Sequence, residues 1–304
     1  MLKKSRQIPK DLRKMRILNA RMSLLEQDKR NYYAAEKGYE GEVRFDELTA
    51  RIENQCYIIN GLLLKLGSKY FQIDTVLIYQ RKIYLIDVKN FEGEYIYEPK
   101  KLKTMAGKEI DDPLIQLQRC ESLFRQLLQQ YGLNFHIEAI LVYINPDFTL
   151  YQAPPNDSVI LPSKLKSFMK KLNTEFSTLT KGHENLANLL ISLDLGDYPY
   201  SNYPAYTYEG LQKGIISSSS HKLSTFLRSN KIVCRDSGVE ESVESAVLRS
   251  VEELMLLFPD LKVTTNLVFE WCGMIVPKKT IRQILLKNYQ LTGYGRWTFF
   301  TKKE

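Results

Sequence analysis

The chain opens on a helical spacing of apolar positions. Met15, Leu18, Met22 and Leu25 recur three and four residues apart, which predicts an amphipathic helix from about Asp11 to Ala35. Gly38 interrupts it, and Val43, Phe45, Leu48 and Ile52 mark a second helix reaching about Gln55. Three short runs follow, CYIINGLLLKL, YFQIDTVLIY and KIYLIDVKNF, rich in β-branched and aromatic residues and separated by Gly-Ser or Gln-Arg. These predict strands. Asp112 and Pro113 then start a helix as N-cap and first residue, with Leu114, Leu117, Cys120, Leu123, Phe124 and Leu127 on its apolar face and Gly132 at its end. HIEAILVYIN predicts one more strand, closed by Asn145-Pro146.

The order helix, three strands, helix, strand is an α/β pattern. After it, LPSKLKSFMKKL and ENLANLLISL have helical spacing, whereas DYPYSNYPAYTYEG and GIISSSSHK predict loops. From about Ile232 the spacing is helical again in EESVESAVLRSVEELMLLF and KTIRQILLKNY, and GYGRWTFFTKK predicts a strand or β-wing. The expected organisation is a basic arm and helix over 1–36, an α/β core over 37–150, a helical and loop extension over 151–230, and a mostly helical α+β module over 231–304, for which a winged-helix-like form is one reading. No internal repeat is visible.

Composition narrows the function classes. With 44% apolar and 26% charged residues over 304 positions the chain can bury a sizeable core, and no apolar run approaches the roughly 18 residues that a membrane span needs. The excess of 43 Lys and Arg over 35 Asp and Glu gives +8, which favours polyanionic partners. The basic start MLKKSRQIPKDLRKMR lacks the apolar centre and cleavage site of a secretory signal. Cys56, Cys120, Cys234 and Cys272 form no CxxC pair, so reduced thiols in a cytoplasmic protein are expected. His136, His183 and His221 have no metal-pair spacing, which argues against a His-built zinc site and against Ser-His-Asp or Cys-His chemistry.

The candidate chemistry starts at Asp87-Val88-Lys89, at the end of an apolar strand, where alternation puts Asp87 and Lys89 on one face. A second acid, Asp74, is embedded among Ile73, Val76, Leu77 and Ile78 of the preceding strand. A hairpin with Gln80-Arg81 as its two-residue loop sets Asp74 opposite Asp87; a three-residue loop would move Asp74 off that face. Opposed side chains have Cβ atoms about 4.5 to 5.5 Å apart, and like charges there are destabilising unless something offsets them. A hard divalent cation such as Mg²⁺ does so. Lys89 would then orient water and stabilise charge on an attacked phosphate. The plainer alternative is a partly buried ion pair of Lys89 with Asp74 or Asp87 and no metal. Glu42, on the preceding helix, and Gln116, on the following one, have nothing in their local sequence to set them apart from ordinary solvated helix residues.

Gly41-Glu42, Gln72-Ile73-Asp74, Ile86-Asp87-Val88-Lys89-Asn90 with Gly93 soon after, and Asp112-Pro113-Leu114 with Gln116 together resemble the NERD (nuclease-related) domain, over roughly residues 37 to 146. That family is similar to the PD-(D/E)xK nucleases, whose restriction-endonuclease-like αβββαβ core has the order read above. The resemblance implies metal-dependent phosphodiester hydrolysis. Asp74 and Asp87 would be metal ligands, Glu42 a further acidic contributor, Lys89 the catalytic lysine, and Gln116 a support for the site or a phosphate contact. One position departs: the acid two before Lys89, usually Glu in the family, is Asp87 here, which shortens the reach to a metal.

Elsewhere, Tyr198, Tyr200, Tyr203, Tyr206 and Tyr208 suit a loop packed by its own rings better than a base-stacking platform, because no Lys or Arg lies between them. From Lys278 to Lys303 there are seven basic residues and no acidic one. Lys287 and Arg296 are therefore candidate nucleic-acid contacts, set against an ordinary solvated basic face on a packed helix. The expectation is a cytoplasmic bacterial nuclease using Mg²⁺ or Mn²⁺ on nucleic acid, DNA in the first place, with a protein partner or a second copy also possible and no membrane association. A non-catalytic nucleic-acid-binding or scaffold protein with the same fold is the alternative. No GxxxxGK[ST] loop is present, so ATP-driven work would need a partner.

Overall fold

A computed structural model of the protein describes residues 1–99, 101–199 and 203–303, Arg296 by its backbone alone. The chain divides into two compact units, Met1–Pro9 with Tyr33–Tyr200 and Lys10–Tyr32 with Ser201–Glu304. Residues 1–36 are thus shared between both units, and most of the 151–230 stretch belongs with the first.

The chain begins with strand β1 (Leu2–Lys4), helix α1 (Lys10–Arg21) and helix α2 (Glu26–Thr49). Here the structure corrects the sequence reading. The break falls at Met22–Leu25, and Gly38 lies inside α2 with open space where a Cβ would be. A glycine in a helix interior costs only about 1 kcal/mol, too little to end a helix whose far turns pack Phe45 and Leu48 into a core; α2 stops at Thr49, short of the expected Gln55, and Ile52 joins that core from just beyond it.

The first unit continues with β2 (Tyr57–Leu66), β3 (Lys69–Ile78), β4 (Lys82–Lys89), β5 (Gly93–Glu98), β6 (Lys101–Thr104), β7 (Glu109–Asp111), α3 (Pro113–Gln130), β8 (His136–Tyr143), β9 (Phe148–Tyr151), β10 (Val159–Ile160), α4 (Pro162–Thr174) and α5 (Lys181–Ser192). The main sheet has the order β1-β2-β3-β4-β8-β10, and β7-β6-β5-β9 form a second sheet. As expected, Asp112 caps α3, its carboxylate accepting from Leu114 N at 2.9 Å, with Pro113 in the first turn. Mixed α/β architecture follows from the two faces of the main sheet. Ile59, Leu62, Ile73, Val76, Ile83 and Leu85 meet α3 and α5 on one side. Ile58, Leu77, Tyr84, Ile86 and Val88 meet α2 and α4 on the other. Each such side chain, fully buried, contributes about 1.5 to 3 kcal/mol.

The alternation slips once. Ile73 and Val76 reach the same core although three residues apart, and so do Ile59 and Leu62 on the neighbouring strand. The register stays constant along β2 and β3, with Asn60 paired to Thr75 and Leu62 to Ile73, but Gly61 and Asp74 between them are not a ladder pair. Gly61 has φ +65, a left-handed conformation that only glycine takes cheaply. Both strands therefore turn over together at Asp74.

The second unit holds α1, β11 (Thr225–Arg228), β12 (Lys231–Cys234), β13 (Glu240–Ser242), α6 (Val243–Leu257), α7 (Thr265–Trp271), α8 (Lys278–Asn288), β14 (Tyr289–Thr292), a 3-10 turn (Gly295–Trp297) and β15 (Phe299–Lys302). Its core gathers Leu18, Ile215, Val247, Leu254, Trp271 and Ile281 among others. Arg21, fully buried, ties α1 to α6. It lies over the Trp271 ring at 3.9 Å and donates to Glu253 Oε2 at 2.7 Å and to the carbonyls of Gln212 and Gly214. The tyrosines are used for packing. Tyr208 stacks on Trp271, Tyr206 donates to Leu257 O, Tyr203 bonds Asp11, and in the first unit Tyr198 lies on Tyr70; Tyr200 lies outside the described residues. Two similar loops close the β12 end. Cys234 donates to Ser220 Oγ, Ser219 Oγ shares hydrogen bonds with Ser217 and Ser237, and the loops turn through left-handed residues at His221 and Gly238.

Candidate active site

Three elements meet where the β3–β4 ladder ends. The ladder pairs Ile78 with Ile83 through to Thr75 with Ile86, with Tyr79 N donating to Lys82 O, so Gln80-Arg81 is indeed the two-residue loop. Asp74 and Asp87 stand one step beyond the last pair. There the strands stop bonding each other, and Asp74 Oδ2 accepts from Val88 N at 2.8 Å. A carboxylate takes the place of a ladder carbonyl. Lys89 Nζ lies 2.7 Å from Asp87 Oδ1 and 3.3 Å from Gln116 Oε1 on α3, so three predicted residues form one polar chain.

Glu42 arrives from α2. Gly41 lets it approach: a Cβ there would sit 2.5 Å from Cβ of Asn90, just past β4, and 3.2 Å from Ile144. Glu42, Asp74, Asp87 and Gln116 then line one cavity of about 220 Å³ with Gln72, Ile73, Leu85, Ile86, Leu117 and Cys120. A larger cavity of about 610 Å³ in the same unit, among Tyr143, Pro154, Lys164 and Phe168, includes none of those three acids, so the smaller one holds the candidate chemistry.

Arg6 is the site residue that the sequence reading missed. It follows β1, which pairs in parallel with β2 and so delivers the arm to this place. Arg6 is 5% exposed, with Nε and NH2 on the two oxygens of Asp46 at 2.8 and 2.9 Å, NH1 on Glu42 Oε2 at 2.5 Å, and NH2 also on the Asp74 carbonyl at 2.7 Å. Its partners lie 36 to 68 residues away, and nothing in MLKKSRQIPK distinguishes it from the other basic residues.

The electrostatics follow from this crowding. Burial, and then the charges of Glu42 and Asp87, hold the Asp74 carboxyl well above the usual carboxylate range. Burial raises Glu42 also, with Arg6 opposing and Asp46 and Asp87 adding to it. Burial works against the Arg6 cation, but Asp46, Glu42 and Asp74 outweigh it and its pKa rises. The Cys120 thiol is pushed up to about 12 by burial and by Asp87 and Asp74, which makes it an inert wall of the cavity.

Residues 37–144 match the family model of NERD, the nuclease-related domain. The NERD match covers about a third of the chain and contains Glu42, Asp74, Asp87, Lys89 and Gln116, but neither Arg6 nor any part of the second unit. No curated protein matches the chain. Among solved structures, the crystal structure of protein VC1899 from Vibrio cholerae is similar at 13% identity, over 59% of this chain and 41% of that one, with a TM-score of 0.22. The chain therefore spans less than half the length of that protein, and so low a score carries no argument here. No helix among the described residues is long and apolar enough to cross a membrane.

Whether the NERD residues suit a metal is a question of donor chemistry and of what the oxygens already bind. Glu42, Asp74 and Asp87 are hard oxygen donors on one cavity, as a small divalent cation requires. Among the described residues, however, no group of three or more His, Cys, Asp and Glu side chains is gathered as a ready ligand cage. Lys89 occupies Asp87, Arg6 occupies Glu42, and the Val88 amide occupies Asp74. The donor set fits a hard cation, with cationic side chains holding part of its charge. Of the other candidates, Lys287 is 2.8 Å from Glu244, and the Arg296 side chain lies outside the described residues.

Proposed function

We propose that the NERD segment hydrolyses phosphodiester bonds in DNA with Mg²⁺ or Mn²⁺ bound at Asp74, Asp87 and Glu42. The observation that carries this is the crowding of three carboxylates, Glu42, Asp74 and Asp87, on one cavity of about 220 Å³, where burial and the two neighbouring charges disfavour ionisation of Asp74. A structural site gains nothing from such repulsion, whereas a divalent cation offsets it. The chain order α2, β2 to β4, α3, β8, with β5 to β7 inserted, supports reading the segment as a restriction-endonuclease-like αβββαβ core of the PD-(D/E)xK type. A bound cation supplies a Lewis acid at the scissile phosphate and lowers the pKa of water beside it. Asp74 and Asp87 would hold it, with Glu42 completing the set. Lys89 keeps a positive charge at the edge of the cavity, aimed by Gln116, where it stabilises charge gathering on the phosphate. Arg6 fixes the α2 carboxylates and so the position of Glu42.

A second reading, a nucleic-acid-binding protein that keeps the fold without cleaving, draws on the ion pairs of Lys89 with Asp87 and of Arg6 with Glu42. One experiment separates the two. Calorimetric titration of Mn²⁺ into the protein and into Asp87→Asn is run beside cleavage of labelled DNA by both and by Lys89→Ala. The nuclease reading expects metal binding by the wild type, none by Asp87→Asn, and a loss of cleavage of about 100-fold or more in Lys89→Ala. Absence of metal binding and of cleavage in the wild type would leave the ion-pair reading.

A further inference from the structure

The strongest unexplained surface is at the end of the second unit. After α6, Val263 bridges antiparallel to Phe300 of β15, with Phe300 N donating to Val263 O at 2.8 Å. Then come α7, α8 and the β14–β15 hairpin, registered from Tyr289 opposite Lys302 to Thr292 opposite Phe299. Helix, bridge, helix, helix and hairpin therefore close on one another around Val263, Val268, Trp271, Ile281, Leu285 and Phe300. That leaves α8 with a single packed stripe, Ile281, Ile284 and Leu285, and an outer face of Lys278, Lys279, Arg282, Gln283, Leu286 and Lys287.

Three features of this face ask for an anion of extended shape. First, the charge is of one sign: residues 278–303 hold seven basic and no acidic residues. Lys287 is neutralised by Glu244, but among the described residues Lys279 and Arg282 have no acidic partner. Second, α8 begins with two lysines, no acidic residue and no side-chain cap, although the start of a helix favours negative charge and leaves amides open. Third, the hairpin turn presents Tyr294 at 93% exposure and Trp297 at 71%. Both rings are largely exposed, on the hairpin that directly follows α8.

We propose that α8 and the β14–β15 hairpin form a docking surface for duplex nucleic acid. α8 is presented to the major groove, Lys279 and Arg282 lie on the backbone, and Tyr294 and Trp297 at the hairpin turn lie against the sugar edges of the adjacent groove. A helix of this width fits the major groove of B-form DNA, and a second helix crossing before it is the arrangement by which helix-turn-helix proteins present their reading helix. An acidic polypeptide would satisfy the charge, but it offers no counterpart to an exposed helix followed by a hairpin with an aromatic turn. The surface belongs to the second unit, so the proposal stands independently of cleavage by the NERD segment.

The test uses the full chain in EDTA, so that binding is read without cleavage. Fluorescence anisotropy with a labelled duplex of about 20 base pairs, two helical turns, compares the wild type, the pair Lys279→Glu with Arg282→Glu, and the pair Tyr294→Ala with Trp297→Ala. The charge pair is expected to weaken binding at least tenfold and to flatten the salt dependence by about two in slope, one for each phosphate that is no longer neutralised. The aromatic pair should weaken it severalfold with the salt slope unchanged. All four substituted positions are exposed, so unchanged melting temperatures certify the fold. Unchanged affinity in the charge pair overturns the proposal. Equal or tighter binding of polyglutamate, or of single strands, overturns it in favour of those partners.

Discussion

Asp74 shows how one residue can carry both the cost and the use of a site. Its folded pKa lies above the unfolded value, through burial and through Glu42 and Asp87. The stability linked to such a group is present below its unfolded pKa and lost as pH rises through the folded one. At neutral pH without metal the Asp74 carboxylate therefore destabilises the fold. Asp74→Asn keeps an oxygen for the Val88 amide and removes the charge. Calorimetry in EDTA should show its melting temperature higher than that of the wild type by about 2 to 4 °C, as expected for roughly 1 kcal/mol in a domain of this size. Added Mg²⁺ should narrow the gap by raising the wild type alone. A lower melting temperature for the variant in EDTA would contradict this account of the cavity. The residues on the strands were legible beforehand, because an acid inside an apolar strand and an acid two before a lysine are local signals. Arg6 was not, since what defines it is a bidentate grip on Asp46, 40 residues away.

At the scale of elements, β2 to β4, α3 and β8 could be read from apolar runs and from the Asp112-Pro113 start. β5 to β7 and β9 could not. They are short and carry charges, as in GEYIYE and KLKT, and they become strands by pairing with each other rather than by burying both faces. The turn-over of β2 and β3 at Gly61 and Asp74 also escaped, because simple alternation assumes that a strand keeps its faces. The β12 end offers a test of its own. There the hydroxyls of Ser217, Ser220 and Ser237 pull the Cys234 thiol down to about 5 against the opposing effect of burial. An unfolded cysteine titrates near 8.5, so this depressed pKa contributes stability that is full above the unfolded value and lost as pH falls toward 5. The difference in melting temperature between the wild type and Cys234→Ser should therefore grow from pH 5 to pH 8.5. A difference that stays flat over that window would mean that the loops do not hold a thiolate.

On the scale of the whole molecule, the path of the chain matters more than the count of its parts. It passes from one compact unit to the other after Pro9, back again inside α2 between Tyr32 and Tyr33, and once more at residue 200. Neither unit is a continuous stretch, so shortening the protein to the NERD match would strip Arg6 from its carboxylates, and removing the first 36 residues would also take α1 and Arg21 out of the second core. A single protease cut near residue 200 should accordingly fail to yield two separable halves. The fragment ending there still carries α1, whose Ile17, Leu18 and buried Arg21 belong to the core built by the other fragment. Nicked protein should elute as one species under native conditions and part only in denaturant, whereas two peaks without denaturant would refute this. The two functions proposed here would then behave as spliced strands of one rope: evolution could not shuffle either unit into another protein as a cassette, and a partner that gripped the first 40 residues would hold both at once.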